Sequence, residues 1–583
     1  MANFYTDNED IQFLFRHMDL ARIAALTEEG FRFAKEFDFA PADASEAVDN
    51  YHRILCTIGE IAGERVAPTA AETDTVGNVL NPDGTVTYAP GMAEAIRLLG
   101  QAGVMGFSLP YRFGGINCPN LLYTMSNDVV SRADASLMNL YGLQGIAETV
   151  NHFASEEIKR EYLPRLASGE FTGAMVLTEP DAGSDLQAVK TRAYQDANGN
   201  WFVRGVKRFI TNGCGHVLLV LARTEPEIAD GRGLSCLLVE AGPRVKVRRL
   251  ENKLGIHGSP TCELFFDDAP AKLIGDRQRG LITYVMSLMN GARIGIAAQS
   301  LGIGEAAYRS ARDYAHSRKQ FNTVIENFPA VRDLLVDMSL DLQAARAITY
   351  HASFSVDLEM GLTARIESGS VTDADEVKRL RTEARKYKGH NKVLTPIAKY
   401  YASEMSMRVS NSAMAVLGGS GYMRDYPVER YLRDARITTI YEGTSQLQVV
   451  AAVGGVMSGV TAEAINEILA GRAWTPELKP LAASIQEGLT VLAQSSALVK
   501  AHPEGNAYRD LVARKLVDMA IDLLVGALFC EHALANPKKL PVARRWISER
   551  MPRVRMLQTQ IASGDTLSLS AFETLAPPVP AGD

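Results

Sequence analysis

The strongest constraint on the fold is a change of hydrophobic period near Gly169-Glu170-Phe171, which reverses about a hundred residues later. Before it, apolar residues recur at helical spacing in IQFLFRHMDLARI, YHRILCTIGEIAGERV, LLYTMSNDVVSRADASLMNLYGL and SEEIKREYLPRLASG. After it come short β-type runs, NWFVRGVKRFI, HVLLVLAR, LSCLLVEA, RVKVRRL and CELFFDD, separated by Gly, Asn, Asp and Pro. That spacing suits a compact β-domain and not alternating βαβ units. Helical periodicity returns at Leu281. The expected fold is therefore α+β and mostly α: an N-terminal helical domain over 1–170, a middle β-domain over 171–280 and a helical bundle over 281–457. The polar, charge-mixed stretch near 358–391 reads as a partly helical insertion, and 458–583 as an additional helical C-terminal extension.

A chain of 583 residues with 46% hydrophobic and 22% charged residues has enough apolar material for several cores. The net charge of −7 argues against a general nucleic-acid binder. The acidic start MANFYTDNED lacks the features of a secretory or mitochondrial leader, and PPVPAGD carries no peroxisomal address. No stretch reads as apolar for long enough to span a bilayer. A cytoplasmic protein without membrane association is expected. Six scattered cysteines form no CxxC pair and have no His at zinc spacing, so reduced thiols and no metal site are expected.

Several runs carry chemistry. In Leu177-Thr178-Glu179-Pro180-Asp181-Ala182-Gly183-Ser184 a turn offers hydroxyls and backbone N–H groups to a ring edge or a pyrophosphate. Phe209-Ile210-Thr211-Asn212-Gly213 puts an aromatic and a hydroxyl at a strand end, a platform for a planar cofactor. Taken singly, each run also reads as an ordinary β-turn. No GxGxxG or GxxxxGK[ST] supports a Rossmann or P-loop site. Gly418-Gly419-Ser420-Gly421 reads as a helix C-cap and turn, or as a close approach to a cofactor phosphate. Arg293 sits in apolar surroundings and needs a partner or a path to solvent. His316-Ser317-Arg318-Lys319-Gln320-Phe321 is a basic cluster, solvated or phosphate-holding. Ile440-Tyr441-Glu442-Gly443-Thr444-Ser445-Gln446 places one carboxylate among small and apolar residues, either a catalytic base or a helix N-terminal carboxylate.

The runs LTEPDAGSD, KRFITNG, ARIGIAAQSLGIGEAAY, SRKQF, LGGSGYMRDYPVERYLRDARI and IYEGTSQLQ occur in this order. Together they resemble the acyl-CoA dehydrogenase family, over most of residues 90 to 455. The long N-terminal helices and the extension are similar to its larger bacterial members, such as 3-(methylthio)propanoyl-CoA dehydrogenase-like proteins. The resemblance implies non-covalent FAD and an acyl-CoA thioester stacked on it. It implies Glu442 as the base, taking the α-proton while the β-hydride passes to flavin N5 and a trans-2-enoyl-CoA forms. It implies FAD contacts from Met175, Leu177, Thr178, Gly183, Ser184, Phe209, Thr211, Gly418, Gly419, Thr444 and Gln446. Arg318 and Phe321 would reach the FAD of a neighbouring subunit, in a homodimer or dimer of dimers. Ser184, Asn290, Arg293, Tyr441 and Gly443 fall on the substrate side.

This chain departs from the family pattern at Asn290, where an Asp is common, at Phe328-Pro329 and at Ala415. Some members carry the base on the helix that here holds Asn290 to Arg293. That segment has no Glu, which favours Glu442. Apolar neighbours would raise the Glu442 pKa on substrate binding. Electron-transfer flavoprotein is the expected acceptor. The alternatives are an acyl-CoA oxidase using oxygen and a DNA-alkylation-response-type flavoprotein. The nearly balanced charge of the extension speaks against the latter. The basic run Arg544 to Arg555 reads as a packed or solvated helix interrupted at Pro552.

Overall fold

A computed structural model describes residues 2–579. The last residues of the PPVPAGD run, and with them the end of the expected extension, lie outside the described residues. Two compact units emerge: Met1–Arg385 with Ala402–Gly443, and Lys386–Tyr401 with Thr444–Asp583.

The first unit opens with helices between Glu9 and Ala167, including α1 (Asn120–Ala133) and α2 (Ala135–Tyr141). A small antiparallel pair, β1 (Val79–Leu80) and β2 (Val86–Thr87), interrupts them. The middle sheet contains β3 (Gly173–Val176), β4 (Arg192–Gln195), β5 (Trp201–Thr211), β6 (Val217–Arg223), β7 (Leu234–Glu240), β8 (Val245–Leu250) and β9 (Thr261–Ile274). The order β3-β6-β4-β5-β9-β7, with β8 on β9 and a further β6–β7 pairing, closes a ring of strands. Closure removes sheet edges and leaves one face inside. Leu218, Val220 and Ala222 of β6 join Val203, Ile210, Leu237, Val239, Leu264 and Phe266 in that interior. The alternate residues Val217 and Leu219 pack outward against Ile146, Val150 and Leu163 of the N-terminal helices. Burial on both faces is why HVLLVLAR reads as an unbroken apolar run.

A π-helical turn, Gly280–Val285, leads into α3 (Met286–Ser317). A hairpin follows, β10 (Lys319–Gln320) with β11 (Thr323–Val324). By length and composition Gly280–Ser317 is apolar enough to cross a bilayer, which corrects the sequence expectation. Its buried run from Ile294 to Ala307 belongs to a core helix, packed on α1. Next come α4 (Pro329–Glu367), α5 (Ala374–Leu417) and α6 (Val428–Thr438). The stretch expected as an insertion is the continuation of α4 and α5, and only 368–373 lie outside a helix.

The second unit takes the middle of α5 and adds α7 (Ser445–Ser458), α8 (Val460–Leu469), α9 (Lys479–Ala501), α10 (Asn506–Ala535) and α11 (Leu540–Ala562). Pro552 lies inside α11 without ending it, contrary to the sequence reading. Tertiary anchors offset the lost backbone bond. The Arg553 guanidinium donates to Asp518 and Asp522, each at 2.6 Å, and Trp546 Nε1 donates to the Asp522 carbonyl at 3.0 Å.

Candidate active site

Helix α6 delivers Glu442. Arg433 on α6 pairs with Asp74 at 2.7 Å, and the Asp434 carboxylate accepts the Ile256 N–H at 2.5 Å. Past the helix end, Ile440 N and Tyr441 N both donate to the Ile437 carbonyl, at 2.8 and 3.1 Å. The chain then turns through two left-handed residues, Glu442 at φ 53 and Gly443 at φ 89. Glycine adopts this region freely, whereas glutamate pays about 1–3 kcal/mol for it. Glu442 is not part of a helix: α7 begins only after Thr444, whose hydroxyl caps it by accepting the Leu447 N–H at 3.3 Å. Gln446, in the first turn of α7, is exposed.

The strained turn is held by the residue before it. The Tyr441 hydroxyl donates to Gln299 Oε1 and lies 3.1 Å from Asn139 Oδ1. Gln299 Nε2 donates to Asn139 Oδ1 at 2.9 Å and to the Ala135 carbonyl at 2.8 Å. Asn139 Nδ2 donates to Ser259 Oγ at 3.2 Å. Gln299, Asn139 and Ser259 are buried. Sequence reasoning gave none of the three a role: they come from segments far apart, and Gln299, although it lies in the run ARIGIAAQSLGIGEAAY, shows no partner there.

Arg293, on α3, lies near enough to Glu442 to feel its charge. Burial lowers its pKa, and the Glu442 charge opposes that shift. One guanidinium N–H donates to Asn290 Oδ1 at 3.2 Å, while Nε is buried without a hydrogen-bond partner.

The β-domain contributes its strand ends. Met175 and Leu177 pack in a cluster with Leu281, Val285 and Met289, on the segment that leads to Asn290 and Arg293. The pairing of β5 with β9 shifts register between Lys207 and Ile210. Such a bulge re-aims side chains. Here it leaves Phe209 at φ 61 and 52% exposed. Thr211 ends the same strand, half-buried. The Thr178 carbonyl accepts the Arg208 N–H at 2.9 Å, tying the two predicted runs together. Gly183 and Ser184 are exposed at the end of the turn that follows Thr178.

A sealed ion pair, also missed from sequence, supports that turn. Lys207 Nζ lies 3.0 Å from Glu179 and donates to the Leu177 carbonyl at 2.7 Å. The Glu179 carboxylate also accepts the N–H groups of Lys190 and Thr191, at 2.8 and 2.9 Å. Burial pushes Lys207 down to about 8. Burial pushes Glu179 up, but Lys207 and these hydrogen bonds outweigh it and hold the carboxyl below its ordinary value.

The remaining predicted residues lie elsewhere. Arg318 follows the C-terminal end of α3, 25 positions beyond Arg293, about 37 Å along a helix. Phe321 and Asn322 form the tip of the β10–β11 hairpin at φ 51 and 61. Two successive positive φ values define the tight turn that matches strand twist. Phe321 is 89% exposed there. Gly418 closes α5 at φ 61, and a Cβ on Gly418 or Gly419 would meet nothing within 4 Å. Tyr314, on the last turns of α3, donates to Ser420 Oγ at 3.3 Å, so the glycine turn lies near the hairpin end of α3.

These surroundings fit the flavin that the resemblance implies. An exposed aromatic on a strained bulge, two hydroxyl-bearing strand ends and an open glycine turn offer ring, edge and phosphate contacts.

Comparison with known proteins agrees. Sequence profiles for the N-terminal, middle and C-terminal domains of acyl-CoA dehydrogenase match residues 49–170, 174–269 and 279–453. An acyl-CoA dehydrogenase of Bacillus subtilis (strain 168) is 37% identical over 364 residues, 61% of this chain and 87% of that protein. A chain in the structure described as the electron transferring flavoprotein of Acidaminococcus fermentans superposes with a TM-score of 0.59. It is 31% identical and covers 69% of this chain and 97% of its own. An acyl-CoA dehydrogenase from Bacillus anthracis, complexed with FAD, superposes with a TM-score of 0.74 over 91% of this chain and 92% of its own. At 22% identity it speaks for the fold, including most of the added helices. The chain belongs to the acyl-CoA dehydrogenase family, as an FAD-dependent oxidoreductase acting on CH–CH bonds.

Proposed function

We propose that the protein desaturates an acyl-CoA thioester between its α and β carbons, with Glu442 as the base and electron-transfer flavoprotein as the electron acceptor. The observation that carries this reading is the Glu442 turn. A glutamate is kept in a left-handed conformation beside Gly443, and buried Gln299 and Asn139 hold Tyr441, the residue before it. Strain of this kind persists only where surrounding structure over-determines it, and it clusters at functional sites.

An α C–H beside a thioester is a weak acid, so its removal needs a positioned carboxylate and stabilisation of the enolate. Glu442 takes the α-proton on a carboxylate oxygen as that C–H bond breaks. FAD, when bound, supplies the acceptor for the hydride that leaves the β-carbon. The electrons of the α C–H bond become the new double bond, giving a trans-2-enoyl-CoA. Arg293 and Asn290 hold the CoA side, together with Ser184, and the unpartnered Nε of Arg293 has a donor to give. Tyr441 and Gly443 shape the thioester end. Met175, Leu177, Thr178, Gly183, Phe209, Thr211, Thr444 and Gln446 contact FAD, while Gly418 and Gly419, near the hairpin end of α3, contact FAD on the same side as Arg318 and Phe321.

Arg318 and Phe321 lie too far along α3 from Arg293 to share one ring-sized site with it. They serve the FAD of a second copy in a homo-oligomer, and the exposed hairpin tip is what that copy meets.

The test is anaerobic titration with a panel of acyl-CoA esters, following bleaching of the yellow flavin. Wild type bleaches with its substrate, and Glu442→Gln retains FAD but does not bleach. Bleaching of that variant at the wild-type rate would remove Glu442 from the mechanism. Turnover that consumes oxygen and releases peroxide, with no dependence on electron-transfer flavoprotein, would replace the acceptor.

A further inference from the structure

Three side chains of the second unit converge without any part in the chemistry above. His390 lies on the portion of α5 that belongs to that unit, and Glu463 and Glu467 lie four residues apart on α8. Residues at that spacing share a helix face. One ring nitrogen of His390 and one carboxylate oxygen of each glutamate lie within 4.8 Å of one another. The backbone explains the meeting. Val393, one turn beyond His390, fills the space that a Cβ on Gly455 of α7 would need, so α5 and α7 run in close contact. At Gly459, φ 95, the chain bends by 69° from α7 into α8. That bend brings the face carrying both glutamates to His390.

The second observation concerns the histidine itself. His390 is only 4% exposed, and its Nε2 is buried with no hydrogen-bond partner. A buried imidazole nitrogen left unbonded costs free energy that a ligand would recover.

We propose that His390, Glu463 and Glu467 form a binding site for a divalent transition cation of the Zn2+ or Mn2+ class. One imidazole nitrogen with two carboxylates is a donor set for such ions, whereas Ca2+ and Mg2+ prefer oxygen throughout. Ligand atoms around a tetrahedral Zn2+ stand about 3.3 Å apart, given bonds of about 2 Å. Both glutamates are exposed, so small rotations of their side chains close the remaining gap. Three protein ligands leave a coordination position for water. The cation would clamp α5 to α8 and hold the second unit together across its bend.

The plainer reading is an acidic face neutralised by lysine. Lys386, one turn before His390, donates to Glu467 at 3.1 Å. That contact accounts for Glu467 alone. It explains neither the approach of Glu463 nor the unbonded nitrogen of His390. Lys386 instead acts as a tethered competitor for the cation.

Holoenzyme stripped with a chelator is equilibrated by dialysis against Zn2+, Mn2+ or Mg2+. Bound metal is counted by plasma mass spectrometry, and thermal unfolding is followed with and without each ion. Wild type is expected to take up one Zn2+ per chain at this site and to melt higher with it. His390→Gln and Glu463→Gln each weaken that uptake by at least about tenfold and abolish the rise in Tm. Lys386→Met binds Zn2+ more tightly than wild type. Glu463 is exposed, so its variant carries the test even if His390→Gln fails to fold. Zn2+ uptake in Glu463→Gln equal to wild type, no uptake by wild type, or Mg2+ held as tightly as Zn2+ would each overturn the site.

Discussion

Glu179 and Glu442 each lie near a basic side chain in the same unit, buried Lys207 and half-buried Arg293, and the two bases differ in how completely they are bonded. Lys207 is 0% exposed and has both the Glu179 carboxylate and the Leu177 carbonyl. Two backbone N–H groups complete the carboxylate side. Arg293 feels the Glu442 charge, yet its Nε is buried and unbonded, and Asn290 receives one of its N–H groups. The first arrangement is closed: it fixes the turn that carries Thr178, Gly183 and Ser184. The second is open, with strain in Glu442 and a spare donor in Arg293. A sealed pair spends its charge on the fold, and an open one keeps charge for a ligand.

The contrast breaks most sharply when each carboxylate is made neutral. Glu442→Gln should lower the rate of substrate-dependent flavin reduction on the order of 10³- to 10⁴-fold, with the unfolding midpoint unchanged. Glu179→Gln should do the reverse. Lys207 is left buried without its counter-charge, at a cost of about 3–5 kcal/mol in urea unfolding, and any activity loss should track lost FAD. If Glu442→Gln destabilises the fold as much as Glu179→Gln does, the distinction between open and sealed pairs collapses.

A smaller effect sharpens the open side. Arg293→Ala removes donors offered to the CoA portion, worth about 1.5–3 kcal/mol for hydrogen bonds to a charged group. KM for the acyl-CoA should rise roughly tenfold to a hundredfold, with kcat nearly kept. Steady-state kinetics decide it: a fall in kcat at constant KM would move Arg293 from substrate binding to the chemical step.

How much of this was legible depended on whether the signal was local. The β-domain announced itself because Val217 to Ala222 is buried on both faces and therefore reads as a continuous apolar run. Strands β3 and β4, four residues each, are too short for a periodic signal. The stretch 358–391 read as partly helical, and the polar residues that dominate it hid how far α4 and α5 extend through it. The run around Glu442 was conspicuous in sequence, but its strained φ was not, since that depends on Tyr441 meeting Gln299 and Asn139 from two distant helices. The exposure of Phe209 comes from a register shift against β9, which β5 alone cannot reveal. Likewise the Phe321-Asn322 turn lacks the Asn-Gly signature of its type, and only the paired strands identify it.

The smallest expected effect tests the sealed pair through its pH dependence. Burial leaves Lys207 at about 8 in the folded protein, against an ordinary value of 10.5. Below pH 8 both folded and unfolded chains hold the proton, and the cost of burying the ammonium is fully present. Between 8 and 10.5 the unfolded chain binds more protons, so stability rises with pH across that window. From pH 8 to pH 9 the gain is about 1 kcal/mol. Lys207→Met lacks this term, so the stability gap between wild type and variant should widen as pH rises through that unit. Glu179 has the opposite window: its folded value lies below 4.5, so its contribution is present above that pH and is lost as pH falls through the folded value. Urea unfolding of both proteins at pH 8 and 9 reads the difference directly. A constant gap would mean that Lys207 keeps an ordinary ammonium, and that its pair with Glu179 is better solvated than its burial implies.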